Sequence, residues 1–435
     1  MKVHSRKTDV VIIGGGASGL AAAITLRMRT KLDVLVIEKL DEPARKIRAT
    51  GSGRCNITNT AAADYLKIVS FFTLIGLVTK SYENGLVYPY SESAADVADI
   101  LIARTKQLGA ELACGEEVVS VSKEQGADTD RSFAVVSKYK DADGEHEVST
   151  EAKYVILACG GKAGPMFGTT GDGYRIARSL GHSIVTPVPV LTGIECAEWD
   201  KDRRPCAVSL AGTRSRGVVS LYKKGQHGGD TVEDADRTDK IFEEEGEIQF
   251  TKYGLSGICI FNMTRHMRFD SAGGESLSDF VITADLFPGR DIEKVLRVRR
   301  DRAFPHERTS EVLRGVLKEN VAEYVLGSVY APGKESLDKE IRSIPDREMT
   351  AIGDAVHSMT FHPVRLRGWK DAQATAGGVS LREIDEETSE SKLVDGLYIT
   401  GELADKDYQC GGFNLSNAWI SGLRAAEAIA DHHTK

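Results

Sequence analysis

Gly14, Gly16 and Gly19 stand in the spacing G-x-G-x-x-G, with Ala17 and Ser18 between the last two, and Glu38 follows 24 residues after the first glycine. These residue types at this spacing suit an extended anion that carries sugars. Gly14 permits a tight turn, Gly16 leaves the main chain open to a pyrophosphate, and Gly19 lets a helix pack closely on a sheet. The N–H groups and dipole at the start of that helix favour phosphate. Glu38 can accept hydrogen bonds from ribose hydroxyls, and its charge disfavours a 2′-phosphate, so FAD or NAD is expected here rather than NADP. The plain alternative is a glycine-rich turn without a ligand.

The elements around the glycines argue against that alternative. Asp9-Val10-Val11-Ile12-Ile13 is a continuous apolar run, as in a strand buried on both faces of a parallel sheet. Leu20 to Leu26 is a good helix former, and Asp33 to Ile37 is a second strand that ends at Glu38. Together they make a complete strand–helix–strand unit. The segment from Lys39 to Asn59 is read as a non-helical loop rich in glycine, basic and small polar residues. Arg45, Lys46 or Arg54 could lie near phosphate, and Lys39 is a further cofactor-binding candidate. Gly51 and Gly53 would allow main-chain contact with a flat ring, with Thr50, Cys55 and Asn56 beside them. A solvated basic loop is the alternative for this stretch taken alone.

Ala49-Thr50-Gly51-Ser52-Gly53-Arg54-Cys55-Asn56-Ile57-Thr58-Asn59 resembles the A-T-G-x-G-R-C-N-x-T-N signature of the BaiN/YhiN-like (HI-family) flavoproteins. Three further blocks are similar: Gly246 to Gly257, Ala376-Gly377-Gly378-Val379, and Gly401 to Gly422 with its Cys410-Gly411-Gly412-Phe413-Asn414-Leu415 centre. The likeness runs nearly end to end. Between Asn59 and Phe71 the chain looks about twenty residues shorter than many relatives, judged by motif spacing. The resemblance implies an α/β fold: an FAD-binding Rossmann-like domain of the GR2 type, split by an insertion with a β-barrel-like part and a helical part. The expected boundaries are 1–185 for the first part of the FAD domain, 186–354 for the insertion (barrel-like to about 285, helical after it) and 355–435 for the return.

The residues support such a split. Tyr154 to Leu157 is another buried strand, followed by Ala158, Cys159, Gly160 and Gly161, and Val118 to Val121 is a strand whose Val119 could neighbour adenine. Thr170-Gly171-Asp172-Gly173-Tyr174 opens a helix, either as a cofactor-facing start or with Thr170 or Asp172 as a simple cap. Pro187 and Pro189 mark a change to short alternating strands, and Gly225 to Lys240 reads as an exposed polar loop. From Asp291 to Asp354 apolar residues recur at helical spacing, as in Leu313, Val316, Leu317 and Val321. Leu397 to Glu402 is a returning strand, and Gly411 onward begins a final helix. In flavoproteins such elements meet the ribityl chain and the pyrimidine edge. Gly401, Glu402, Gly412, Phe413, Asn414 and Leu415 are therefore expected at the flavin.

A flavin carries hydride chemistry itself, so the protein must orient a substrate and supply at most one proton. Tyr253, His362, Asp407, Tyr408 and Cys410 are the candidates, each with a structural alternative: a turn at His362-Pro363, a hinge at Tyr253, packing at Cys410. No second G-x-G-x-x-G follows a strand, so NAD(P)H is expected only as a transient donor. Three activities fit: NAD(P)H-dependent reduction of an activated C=C bond, as implied by relatives acting on 3-oxo-Δ4,6 bile acids; oxidation of a small amine such as aminoacetone; or a flavin-bound binding or sensing module. The first is preferred. Phe167, Met166, Trp369 and Trp419 would suit an apolar, polycyclic small-molecule substrate, although any core contains such residues.

The bulk properties exclude other classes. With 56 basic and 64 acidic residues the net charge is −8, which gives no reason to expect nucleic acid as partner. The seven cysteines include no Cys-x-x-Cys pair, arguing against a zinc site or disulfide scaffold and for a reducing cytoplasm. No signal peptide is expected at Met1 to Lys7. The longest apolar stretch, Leu66 to Val78, is too short to cross a bilayer, which takes about 20 residues, and reads as a buried helix.

Overall fold

The computed structural model of the chain describes residues 2–123, 132–203, 205–223, 240–267, 276–330 and 337–433. It divides into two compact units: Met1–Pro189 with Ala372–Lys435, and Val190–Asp371.

The first unit is built on five parallel strands in the order Leu397–Ile399, Tyr154–Leu157, Val10–Ile13, Val34–Glu38, Glu111–Cys114. The three strands at one side of this order are buried along their whole length. Their side chains face covered layers on both sides, which is why they read as continuous apolar runs. The helix Ala17–Arg29 buries every residue from Ser18 to Leu26. The last helix, Phe413–His433, crosses its start so closely that a Cβ on Gly422 would lie 2.2 Å from the Ser18 carbonyl oxygen. The C-terminal strand and helix therefore complete the sheet and layer that the first forty residues begin.

A second sheet in this unit has the order Lys2–Lys7, Gly144–Ala152, Phe133–Asp141, Glu116–Lys123. Lys2–Lys7 is a strand parallel to Gly144–Ala152, so the chain is already in a sheet before Val10–Ile13. Its charges and lack of apolar alternation conceal it. The helix Tyr65–Leu74 takes up most of Leu66 to Val78; it buries Ile68, Phe71 and Phe72 but leaves Leu66 and Leu74 exposed, as is Val78 beyond its end.

In the second unit seven strands run in the order Met359–Phe361, Phe280–Asp285, Arg214–Lys223, Lys240–Phe250, Gly254–Ser256, Ile194–Cys196, Pro363–Leu366. The two outermost strands are joined by His362 alone, so the sheet curls until its ends meet at that residue. Between its strands the chain forms the helices Ile292–Asp301, Glu319–Val329 and Asp346–His357, which share one apolar core with the sheet. The expected boundary at 354 falls short, because Met359–Phe361 and Pro363–Leu366 pair with this sheet; at three and four residues they show no readable alternation. Likewise Leu313, Val316 and Leu317 precede the helix that carries Val321, and Leu313 is buried from an irregular segment. Most of the expected loop from Gly225 to Lys240 lies outside the described residues, and Lys240 itself begins a strand.

Among the described residues no helix is long and apolar enough to cross a membrane. All seven cysteines are free thiols.

Candidate functional site

The three glycines of the first turn differ in what requires them. Gly14 has φ +111°, and a Cβ there would sit 2.5 Å from the Ala158 carbonyl oxygen. A Cβ on Gly19 would sit 2.0 Å from the Gly14 carbonyl oxygen. Both are demanded by the chain's own packing. Gly16 is not: it has φ −87°, and a Cβ there meets nothing within 4 Å. The space it leaves, at a helix start without a side-chain cap, fits an approaching pyrophosphate. Ala17 and Ser18 open that helix. Glu38 is fixed beside the turn, its Oε2 accepting the Gly15 N–H at 2.8 Å and its Oε1 the Leu40 N–H at 2.9 Å. These two bonds anchor the carboxylate at the strand end.

Lys39 is turned away from this turn. Its Nζ donates to Thr170 Oγ1 at 2.6 Å and pairs with Asp172. The helix Asp172–Ser179 begins at Gly171 with no side-chain cap, so the simple capping alternative does not hold. Val119 sits at a bulge that takes it out of the ladder with Phe133–Asp141, and its carbonyl accepts from Arg175 Nη1 at 2.7 Å. Ala158 continues the Tyr154–Leu157 strand, its N–H bonded to Ile13 O at 2.9 Å, and Gly160 turns the chain away after it.

The signature segment is more wound than expected. Arg45–Ala49 is a helical turn, and Thr50–Gly53 continues as a tight turn. Ala44, Ser52 and Cys55 hold left-handed conformations in a stretch of twelve residues that also contains Gly51 and Gly53. Non-glycine residues held there mark a segment fixed by its surroundings. A five-residue helix that buries only Ile47 leaves no periodic trace. Lys46 Nζ pairs with Glu402 Oε2 at 2.8 Å, and Glu402 Oε1 accepts the Thr375 N–H at 2.8 Å. Thr50 Oγ1 donates to Ile47 O at 2.7 Å. Arg54 lies over the Tyr88 ring, 5.0 Å from its centroid, and 3.7 Å from Glu92. Cys55 is fully buried with Leu20, Ile57 and Trp419, and burial pushes its thiol up to about 11. Only its main chain can meet a cofactor.

The same segment is stitched to the last helix. Thr58 Oγ1 and Ser416 Oγ lie 2.7 Å apart, Trp419 Nε1 donates to Ile57 O at 3.0 Å, and Asn59 Nδ2 donates to Gly411 O at 3.0 Å. Gly412 has φ +94°, and a Cβ there would lie 2.7 Å from Thr58 O and 3.0 Å from Asn56 Oδ1. Phe413, Asn414 and Leu415 form the first helical turn, whose N–H groups lack intrahelical acceptors. The Asn414 side chain brackets the Tyr408 main chain, accepting its N–H at 3.0 Å and donating to its carbonyl at 2.8 Å. Gly401 N–H donates to Ser421 Oγ at 2.8 Å. Trp419 is wholly buried edge-on against Phe72, so it is core and not a substrate wall.

The catalytic candidates divide between the units. Asp407, Tyr408 and Cys410 lie in the first, just before the last helix. Tyr253 and His362 lie in the second, either side of the Ile194–Cys196 strand. Arg367 covers the Tyr253 ring at 4.6 Å. His362 Nδ1 lies 2.7 Å from Glu198 Oε1, and Glu198 Oε2 accepts the His362 main-chain N–H at 3.0 Å. Glu198, Arg367 and Thr375 were not legible as partners, since each is marked out only by tertiary contact.

The family model described as "HI0933-like protein Rossmann domain" matches residues 8–68 and 63–428. The chain is 31% identical to the 3-dehydro-bile acid delta(4,6)-reductase of Clostridium scindens, over 97% of this chain and 98% of that protein. It is also 24% identical to the ribosomal RNA dihydrouridine synthase of Haemophilus influenzae, over 98% of this chain and 99% of that protein. To the protein of that name from Escherichia coli it is 25% identical, over 97% of this chain and 98% of the other. With the Gly14–Gly19 turn, Glu38 and the returning C-terminal helix on one unit, the chain belongs to the HI0933-like Rossmann family of FAD-dependent oxidoreductases.

Proposed function

We propose that the protein reduces a carbon–carbon double bond conjugated to a carbonyl, with FAD as the bound carrier and NAD(P)H as a transient donor. The preferred substrate is an apolar polycyclic small molecule of the 3-oxo-Δ4,6 steroid type. The observation that carries this reading is the 31% identity, along nearly the whole of both chains, to a reductase named for that chemistry.

Bound FAD supplies reversible two-electron hydride chemistry. The chain's own residues seat and orient it. The opening at Gly16 and the start of the Ala17–Arg29 helix take the pyrophosphate, Glu38 the adenosine ribose, and Glu402 a ribityl hydroxyl. The first-turn N–H groups at Phe413–Leu415 offer positive potential to a reduced ring that gains negative charge. The carbon beside the substrate carbonyl then needs one proton. Tyr408 and Cys410, next to the last helix, are the donors on the cradle's own unit.

A second reading keeps the chemistry and changes the substrate. Two relatives that match end to end are named for dihydrouridine in ribosomal RNA. Saturating the 5,6 bond of uracil is also addition across a C=C conjugated to a carbonyl.

Anaerobic stopped-flow absorbance separates the readings. Bleaching of the flavin band by NADH or NADPH, followed by reoxidation with a 3-oxo-4,6-diene bile acid, supports the first. Reoxidation by uridine-containing ribosomal RNA but not by the steroid moves the assignment to the second. Bleaching only by a primary amine such as aminoacetone overturns both.

A further inference from the structure

Lys46 and Glu402 come from opposite ends of the chain and meet at 2.8 Å in the first unit. Each carboxylate oxygen of Glu402 already has one partner: Oε2 takes Lys46, and Oε1 takes the Thr375 N–H. The Thr375 hydroxyl accepts the N–H groups of Lys162 at 2.9 Å and Ala163 at 3.1 Å, which fixes Thr375 in turn. A Cβ on Gly161 would lie 2.6 Å from Glu402 Oε1, so that glycine leaves the carboxylate its place. The two side chains are 29% and 19% exposed, so the pair is half-buried.

The pair stands where the segments of the cradle converge. The helical turn carrying Lys46 hangs on the pyrophosphate turn through the Ala44 N–H to Gly15 O bond at 2.8 Å, and runs directly into the signature loop at Thr50. Glu402 follows Thr400, which bonds Ser18 at 3.1 Å, and Gly401, which bonds Ser421 of the last helix. Lys46 is thus tied to a carboxylate at the ribityl end, where the sequence alone suggests a phosphate clamp.

Opposite charges this close present a dipole with no net charge. Remove either one and the other's full charge acts on its surroundings in a half-buried site, where screening is weaker than in water. We propose that the Lys46–Glu402 pair is an electrostatic balance that sets the electron affinity of the bound flavin. Lys46 is a positioning residue: it holds the Glu402 carboxylate and cancels its charge. This rests on the FAD cradle described above and not on the choice of substrate.

The test is sulfite titration of the purified yellow protein with FAD in excess, read as reversible bleaching of the flavin band. Sulfite binds more tightly as the flavin becomes more electron-poor. Lys46→Met leaves Glu402 uncompensated and is expected to weaken sulfite binding about tenfold. Glu402→Gln leaves Lys46 uncompensated and is expected to tighten it about tenfold. For a two-electron couple, tenfold corresponds to about 30 mV. Lys46→Arg keeps the charge and should return the affinity to within about twofold of wild type. Shifts in the same direction, or shifts under about twofold in both variants, overturn the proposal. If Lys46→Met does not retain flavin, Glu402→Gln decides alone: no tightening overturns it. A colourless wild-type protein with no affinity for added FAD would instead overturn the cradle itself.

Discussion

The hydroxyls of Thr58 and Ser416 share a hydrogen bond at 2.7 Å, although 358 residues separate them in the chain. One belongs to the signature loop and the other to the first turns of the last helix. With the Trp419 to Ile57 and Asn59 to Gly411 bonds it makes the two a single wall of the cradle.

Gly16 and Gly19 predict opposite phenotypes. Gly16→Val projects into open space, so the protein should fold with the melting temperature of flavin-free wild type but lose its yellow colour. Gly19→Ala drives a methyl into the Gly14 carbonyl, which should cost about 1–3 kcal/mol and lower the melting temperature by roughly 3–10 °C. Flavin absorbance per protein, with thermal unfolding, checks both. A normally flavinated Gly16→Val would show that the pyrophosphate lies elsewhere.

Glu38→Ala should weaken FAD by roughly ten- to a hundredfold, the worth of a charged hydrogen bond to the ribose together with loss of the anchor on Gly15 and Leu40. Titration of flavin into the apoprotein, followed by fluorescence quenching, measures it. Unchanged affinity would remove Glu38 from the site.

These two residues also show what the sequence makes legible. A buried parallel strand needs apolar residues at every position, so Val10–Ile13 and Tyr154–Leu157 stand out in the sequence, and the turn and acid at the strand ends come with them. The rest is set by tertiary contact. Lys2–Lys7 carries no apolar face, the helical turn Arg45–Ala49 is too short for periodicity, and Met359–Phe361 and Pro363–Leu366 are strands only because a sheet is there to receive them. In the site, Lys46 and Glu402 are each readable as cofactor-facing, but their pairing is not, because nothing local links residues 356 apart.

His182 gives a pH dependence. It is buried, with Nδ1 3.2 Å from Glu383 Oε2 and Nε2 3.0 Å from Ser391 Oγ. Ser391 Oγ already accepts the N–H groups of Leu393 and Val394, so it donates its own proton to Nε2, and the ring is neutral with its proton on Nδ1. Burial holds its pKa below the usual 6.5, with Glu383 opposing in part. A depressed folded pKa means that the unfolded chain binds the proton first. The stabilisation is therefore complete above about pH 6.5 and declines as pH falls from there toward the folded pKa. The melting temperature of wild type should exceed that of His182→Gln at pH 7.5, and the gap should narrow by pH 5.5. A constant gap would mean that His182 does not titrate differently on folding.

Thiol reactivity should follow burial. Cys55 is pushed up to about 11 and Cys159 to about 12, both by desolvation. At pH 8 only about one Cys55 in a thousand is a thiolate. Iodoacetamide should label the exposed Cys114 at least about a hundredfold faster than either, as read by peptide mass spectrometry of the native protein. Rapid labelling of Cys55 would show that the signature loop opens.

The wall joined by Thr58 and Ser416 also orders events during biosynthesis. At about 5–20 residues per second, the ribosome needs roughly 20–70 s to travel from one residue to the other. Until then the signature loop lacks the bonds that Thr58, Ile57 and Asn59 make to the C-terminal segment, and the central sheet lacks its Leu397–Ile399 edge. A nascent chain can therefore carry the whole phosphate motif and still be unable to hold the flavin. Cofactor loading becomes a mark of completed synthesis, and prematurely terminated chains that lack the last helix should emerge colourless.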